Sequence, residues 1–285
     1  MRLASDYHIH TQHSPEPECT GTMEAVSMRA LAVGLRSFGV SDHLHARINV
    51  PDIEASREGF DRVRPAVDAD FHFGVEVSCL RQWDLEENDK AGEQASVYGV
   101  HRGGPEDSPL TVYLPAELRQ RLRFEYVIGG AHWVLGAPYE QEAVIRSYHR
   151  QNMLLAVHPF VDIVAHPWWW MGHWQGADGM YRGLPWLGDF SVIPDAMHRE
   201  FADAVVAHGK AVEINAGAIF LNPQYPGSFK QQYVKYLKKL KGWGVKFSLG
   251  SDAHSVERIG DTLRIREVLE ELGLSPESLW RQSGV

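Results

Sequence analysis

The sequence predicts a closed α/β barrel of parallel βα units, on three observations. Short apolar runs recur along the chain, segments with helical spacing separate most of them, and a histidine or carboxylate stands at the end of nearly every run. Strands alternating with helices favour parallel βα units. The run Tyr126-Val127-Ile128-Gly129-Gly130-Ala131 is apolar almost without interruption. That pattern implies burial on both faces, as parallel strands require, and a closed barrel satisfies it better than an exposed sheet. In such barrels chemistry gathers at the carboxyl ends of the strands, which is where the polar residues fall here.

Seven strands are expected, over Asp6 to His10, Ser37 to His43, Phe71 to Ser78, Tyr126 to His132, Asp162 to Pro167, Ala211 to Ala216 and Phe247 to His254. Helical spacing covers Met23 to Val33, Ala55 to Val67, Glu140 to Val157, Ala196 to His208, Phe229 to Trp243 and Ile259 to Leu272. Two connections exceed simple turns and read as ordered insertions near the site: Leu80 to Arg123, rich in Gly, Pro and charge, and Trp168 to Pro194, which carries Trp168, Trp169, Trp170, Trp174 and Trp186. With no internal repeat or linker, the 285 residues read as one domain, a length a single α/β barrel reaches.

Composition narrows the function. With 44% apolar and 23% charged residues the chain can bury a substantial core. Its formal charge of -9 argues against a broad nucleic-acid footprint, and the short basic run Lys235, Lys238, Lys239, Lys241 reads as a solvated helix face. Cys19 and Cys79 make neither a disulfide framework nor a zinc ribbon. With no apolar stretch of about 20 residues and no basic-then-apolar leader, a cytoplasmic protein with a small-molecule substrate and no membrane partner is expected. Oligomeric state is left open.

The strand ends supply, in order, His8 and His10 in Asp-Tyr-His-Ile-His, Asp42 and His43, Glu76, His132, His166, and Asp252 with His254 in Ser-Asp-Ala-His. Residues two apart in a strand point to the same side, so each pair can aim two donors at one place. Imidazole and carboxylate suit zinc, manganese or iron. Closely spaced divalent ions lower the pKa of a bound water, polarise the electrophile and stabilise a departing oxygen, so hydrolysis is the natural chemistry. A phosphate ester suits such a site because its transition-state charge spreads over oxygens.

This ordered set resembles the PHP (polymerase and histidinol phosphatase) superfamily, whose motifs look like the HxHT, SDH, Gly-x-Glu, His, AHP and SDAH segments here, from Asp6 to about Gly260. The resemblance implies a distorted seven-stranded, TIM-barrel-like (βα)7 barrel holding two or three divalent ions (Zn, Mn or Fe) and acting as a phosphoesterase of a small phosphorylated metabolite, with histidinol phosphate one candidate. It implies that His8, His10, Glu76 and Asp252 bind one ion, that Glu76 bridges to a second held by His132 and His166, and that His43 and His254 hold a third. Where the family often has another histidine ligand, this chain has Glu16, with His13 a nearby rival.

For catalysis the expected residues are Asp252, orienting or deprotonating the water, Glu76 as bridge, and Asp42, read mainly as a partner fixing an imidazole tautomer and alternatively as a proton donor. His45 reads either as a leaving-group helper or as a solvent-facing loop histidine. Glu213 and Asn215 are assigned equally to substrate orientation and to buried hydrogen bonding. Arg81, Arg182, Lys230 and Arg258 are the cations available to a phosphate, and Trp168 represents a Trp-rich lid that shapes the pocket. A metal-dependent hydrolase of a non-phosphate bond in an apolar or aromatic metabolite is the alternative, motivated by those tryptophans; a non-catalytic module of the same fold ranks below both.

Overall fold

The computed structural model describes residues 4–170 and 184–281. Its strands are β1 (Ser5–Asp6), β2 (Ser37–Val40), β3 (His43–Leu44), β4 (Asp70–Arg81), β5 (Leu110–Val112), β6 (Tyr126–Gly130), β7 (Ile163–Val164), β8 (Ala211–Asn215) and β9 (Lys246–Gly250). The order β1-β2-β4-β6-β7-β8-β9 is parallel throughout, with β3 parallel and β5 antiparallel to β4. Tyr7 N–H donates to the Leu249 carbonyl at 2.9 Å and Asp252 N–H to that of His8 at 2.8 Å, so β9 returns to β1 and the sheet closes. Seven parallel strands in a closed α/β barrel agree with the expectation.

The helices are α1 (Met23–Ala32), α2 (Val50–Val63), α3 (Gln82–Ala91), α4 (Ala116–Leu122), α5 (Gln141–Val157), α6 (Asp195–Ala207), α7 (Gly227–Gly242), α8 (Asp261–Arg264) and α9 (Arg266–Leu272). Helix α1 starts where Thr22 accepts from Ala25 N–H, satisfying one of the free donors of the first turn. Helix α2 begins five residues before the expected Ala55, because Pro51 sits in the first turn, where its fixed φ and missing N–H cost nothing. The single helix expected over Ile259 to Leu272 breaks at Ile265, whose ψ of 25° leaves the helical range.

Strand alternation divides the interior. Outward-facing Val75, Val77, Val127, Val164, Val212 and Ile214 join the main apolar cluster with the helices. Inside the barrel Tyr7, Tyr126, Ile128, Ile163, Ala165 and Ala211 form a separate plug, with Trp280 packed below. This plug closes the amino-terminal end, which leaves the carboxyl-terminal end for the site. Tyr126 reaches across the barrel, its hydroxyl donating to the Tyr7 carbonyl at 2.7 Å. It does so over Gly39 and Gly74, where any Cβ would overlap its ring.

The expected insertion over Leu80 to Arg123 holds α3, β5 and α4, anchored by a buried bidentate pair between Arg81 and Asp84. Of the second, residues 171–183, including Trp174 and Arg182, lie outside the described residues, and the remainder forms short 3-10 turns at Pro185–Gly188 and Phe190–Val192.

Gly74→Ala should destabilise the protein by about 1–3 kcal/mol, the usual cost of overpacking a filled core. Gly242→Ala, at a helix end with open space around it, should be neutral or gain up to about 1 kcal/mol. Urea unfolding midpoints with unchanged slopes would check both, and equal midpoints for the two variants would contradict the packing described.

Candidate metal centre

Glu76 stands at the middle of β4 and is completely buried. Its Oε2 lies 2.8 Å from His8 Nε2, 3.5 Å from His10 Nε2 and 3.1 Å from His43 Nδ1; its Oε1 lies 3.1 Å from His132 Nε2 and 3.4 Å from His166 Nε2. Asp252 Oδ1 completes the first group at 3.6 Å from His8 Nε2 and 3.3 Å from His10 Nε2. A cation bound at about 2.0–2.2 Å to nitrogen and oxygen sets neighbouring donors roughly 3.0–3.5 Å apart. These edges of 2.8–3.6 Å therefore fit one ion among His8, His10, Glu76 and Asp252. Glu76 Oε1 with His132 and His166 makes a second seat sharing that carboxylate.

The tautomers suit this use. His8 Nδ1–H donates to Glu213 Oε1 at 2.7 Å, and His10 Nδ1–H donates to Ser14 Oγ at 3.0 Å, which in turn donates to Asp42. Each ring then presents Nε2 to the shared point, the arrangement in which an outer hydrogen bond orients a metal-binding imidazole. His10 Nε2 has no hydrogen-bond partner although fully buried, as do His43 Nδ1 and His166 Nδ1. His43 lies between seats, with Nε2 3.6 Å from Glu16 Oε1, and it also groups with His10 and His254. Glu16 belongs to this donor wall; His13 is in none of the donor groups among the described residues.

Charge makes the strongest case. Glu76, Asp252 and Glu213 crowd the barrel rim, and among the described residues none has a Lys or Arg within ion-pair distance. In the metal-free protein a proton must serve. Burial works against charge on His8, but Glu76, Glu213 and Asp252 outweigh it and hold its pKa well above the usual histidine range. Burial likewise raises Glu76 and Asp252, yet His8 and the neighbouring histidines bring both well below the carboxylate range.

Two donors sit on strained backbone: His166 at φ 26° and Asp252 at φ 55°, both left-handed. Asp tolerates that region and His far less, so the surroundings must hold it, at a cost of order 1–3 kcal/mol. Glu213 Oε2 accepts His166 N–H at 3.0 Å and thus pins that turn. Gly250 is the residue that admits the Glu213 carboxylate, since a Cβ there would overlap it.

Several expectations need correction. Asp42 is no proton donor: its carboxylate accepts from Thr11 N–H, Thr11 Oγ1, Ser14 Oγ and Ser56 Oγ, and so positions the His10 loop. Asn215, buried and outside the cavity lining, follows the second of its two readings: its Nδ2 donates to Glu213 Oε2 at 2.9 Å and Asp252 Oδ2 at 3.3 Å, while its Oδ1 accepts from Ala218 N–H. Trp168 is enclosed against His149, Trp170 and His198, and it is Trp169 that reaches the cavity. Arg81 is consumed by Asp84 and two backbone carbonyls. Lys230 lines a different surface groove. His45 is buried, not solvent-facing, with Nδ1 2.7 Å from Ser78 Oγ, which also meets His132 Nδ1 at 2.6 Å.

The donors open onto a cavity of about 540 Å³ walled by Tyr98, Trp133 and Trp169, with Arg258 at its edge. Sequence reasoning passed over Tyr98 and Trp133, which had no motif signal, whereas the His-Leu-His spacing at His43 and His45 carried one. The fold and this site together define a βα barrel with a histidine- and carboxylate-rich cation centre. No family model matches the chain, and no curated protein matches it. Among solved structures it is similar to an A. niger ochratoxinase (12% identity, 96% of this chain and 67% of that one, TM-score 0.49). It is also similar to a Xaa-Pro dipeptidase with bound methionine (12%, 96% and 71%, TM-score 0.45) and to a variant organophosphorus hydrolase from Deinococcus radiodurans (14%, 96% and 88%, TM-score 0.43). The fold class rests on strand order and closure, and the chemistry on the site's own residues.

The raised His8 contributes stability below its unfolded value of about 6.5 and loses it as pH rises through the folded value. The depressed Glu76 and Asp252 contribute above about pH 5 and lose it as pH falls. Stripped of metal, the protein should therefore lose the His8 contribution, and melt at a falling temperature, as pH rises from about 6.5 toward 8.5. With zinc or manganese present the alkaline loss should vanish, because the cation replaces the His8 proton. Melting curves in chelator and in metal across this range are the measurement; a metal-free midpoint that climbs from pH 6.5 to 8.5 contradicts the assignment. Glu213→Gln should weaken metal affinity by roughly 10–100-fold, read by competition with a chromophoric chelator.

Proposed function

We propose that the chain is a metal-dependent hydrolase of the PHP type, specifically a phosphoesterase acting on a small phosphorylated metabolite such as histidinol phosphate. The observation that carries the reading is the cluster of carboxylates Glu76 and Glu213, both buried, and Asp252 at the cavity edge, without Lys or Arg partners among the described residues and faced by imidazole nitrogens at cation-binding spacing. Divalent ions seated there would supply Lewis acidity toward the electrophile and acidify a water.

The chain's own residues do the rest. Glu213 and the Ser14–Asp42 pair hold His8 and His10 in register, so the donors need no rearrangement. Asp252, held by Asn215, faces the cavity and orients the attacking water. Arg258 borders the same cavity, its Nε tied to Asp261 at 3.3 Å, and is the cation that meets the phosphate. The cavity volume of about 540 Å³ suits a small metabolite rather than a polymer.

With Mn, Zn or Fe added, phosphomonoesters should turn over. His10→Ala and Asp252→Ala should each lower kcat by more than the roughly 10–100-fold seen for residues that only orient a ligand. Activity unchanged in both would overturn the mechanism. Arg258→Met should raise KM for a phosphate ester by roughly 10–100-fold, the worth of a charge-assisted hydrogen bond, with metal content unchanged.

Hydrolysis of a non-phosphate bond in an aromatic metabolite is the second reading, favoured by the walls of Tyr98, Trp133 and Trp169. Turnover of aromatic esters or amides that is insensitive to Arg258→Met, with no phosphatase activity, would select it.

A further inference from the structure

Behind the second cation seat, two histidines share one hydroxyl. Ser78 Oγ lies 2.6 Å from His132 Nδ1 and 2.7 Å from His45 Nδ1. A serine hydroxyl carries one hydrogen, so it donates to one of these rings and accepts from the other. The direction is set at the far end of the chain of bonds. His132 Nε2 faces Glu76 Oε1 at 3.1 Å, and with that seat filled its lone pair belongs to the cation. A ligating imidazole keeps its hydrogen on the other nitrogen, so His132 Nδ1–H donates to Ser78 Oγ. The Ser78 O–H is then left to donate to His45 Nδ1. His45 is in consequence neutral, with its one hydrogen on Nε2.

That hydrogen is turned out toward the pocket. His45 lines the cavity, is 1% exposed, and has no hydrogen-bond partner for Nε2 among the described residues. Glu16 Oε1, at 4.0 Å, lies beyond hydrogen-bond reach. The ring is held where it stands: the backbone N–H groups of His45 and Ala46 both donate to Asn49 Oδ1 at 3.0 Å, and Trp133 meets the ring T-shaped at 5.4 Å between centroids. A buried donor without an acceptor costs about 1–3 kcal/mol, which a ligand oxygen can remove. Glu16, His43 and His45 could otherwise gather round an ion, but a nitrogen that carries a hydrogen does not ligate.

We propose that His45 is a further substrate-contacting residue, whose Nε2–H, fixed through Ser78 by His132, donates a hydrogen bond to an oxygen of the phosphoryl group beside the second seat. His45 neither gains nor loses a proton in this role; it acts as a preorganised dipole toward negative charge. Ser78 is the positioning residue that chooses the tautomer. The Glu16 carboxylate repels an anion until cations are seated, so the contact belongs to the loaded protein. The identity of the acceptor rests on the phosphoesterase reading, and the direction of the hydrogen bonds on the Glu76-centred cation site.

The test is nuclear magnetic resonance of the zinc-saturated full chain with isotopically labelled histidine ring nitrogens, the His45 signals being those absent from His45→Phe and from His45→Gln. They should show hydrogen on Nε2 and a bare Nδ1, and the Nε2–H signal should shift when inorganic phosphate is added. His45→Phe should weaken phosphate binding by roughly 10–100-fold, the worth of a charge-assisted hydrogen bond, with zinc content unchanged. His45→Gln, whose amide can still donate, should recover part of that affinity. Ser78→Ala at saturating zinc should leave His45 populating both tautomers. A His45 ring with its hydrogen on Nδ1, or with Nε2 bound to zinc, overturns the proposal. Phosphate that binds without moving the His45 signal also overturns it, while leaving the phosphoesterase reading intact. No phosphate binding at all overturns that reading and, with it, the acceptor assigned to His45.

Discussion

A fully buried carboxylate in the middle of a strand, met among the described residues by imidazoles alone, is the constraint to which the rim of this barrel answers. Taking Glu76 out of water costs several kcal/mol unless opposite charge comes with it. The fold could have supplied a lysine or arginine. It supplies His8, His10, His43, His132 and His166 instead, imidazoles that can accept a cation, of which His8, His10 and His166, despite burial, are pushed upward by the carboxylates and can hold a proton without one. Glu213 behind His8 and the Ser14–Asp42 pair behind His10 then make sense as devices that choose which nitrogen faces inward.

Stability and function are coupled through this cluster. A cation that binds the native rim and not the unfolded chain stabilises the fold in proportion to its occupancy. The barrel tolerates two left-handed non-glycine residues, His166 and Asp252, at the places where donors must turn inward. Glu213, accepting the His166 N–H, holds the first of these turns in place.

The convergence of these donor residues was readable because strands impose a period of two and barrel strands end on one rim: residues spaced as in His-x-His or Asp-x-His, each closing an apolar run, had one place to converge. Helix extents were readable from spacing, except where local backbone chemistry intervened, as with Pro51 at the start of α2 and Ile265 between α8 and α9. The roles around the ligands were not readable. Asn215 and Trp168 are of types that commonly contact substrates, yet one braces Asp252 and the other fills a core. Which of three consecutive tryptophans faces a cavity depends on a positive φ at Trp168 that no spacing rule predicts.

The sequence by itself determined the barrel and its inventory of donors, since periodic burial and residue chemistry are local properties that survive without coordinates. Tertiary structure decided which atoms meet: that Glu76 divides its two oxygens between histidine groups, that Glu213 holds His8, and that Cys19 and His45 flank Glu16. Those meetings bring together residues from opposite ends of the chain, and their distances are fixed by barrel closure and loop turns, to which residue order along the chain is blind.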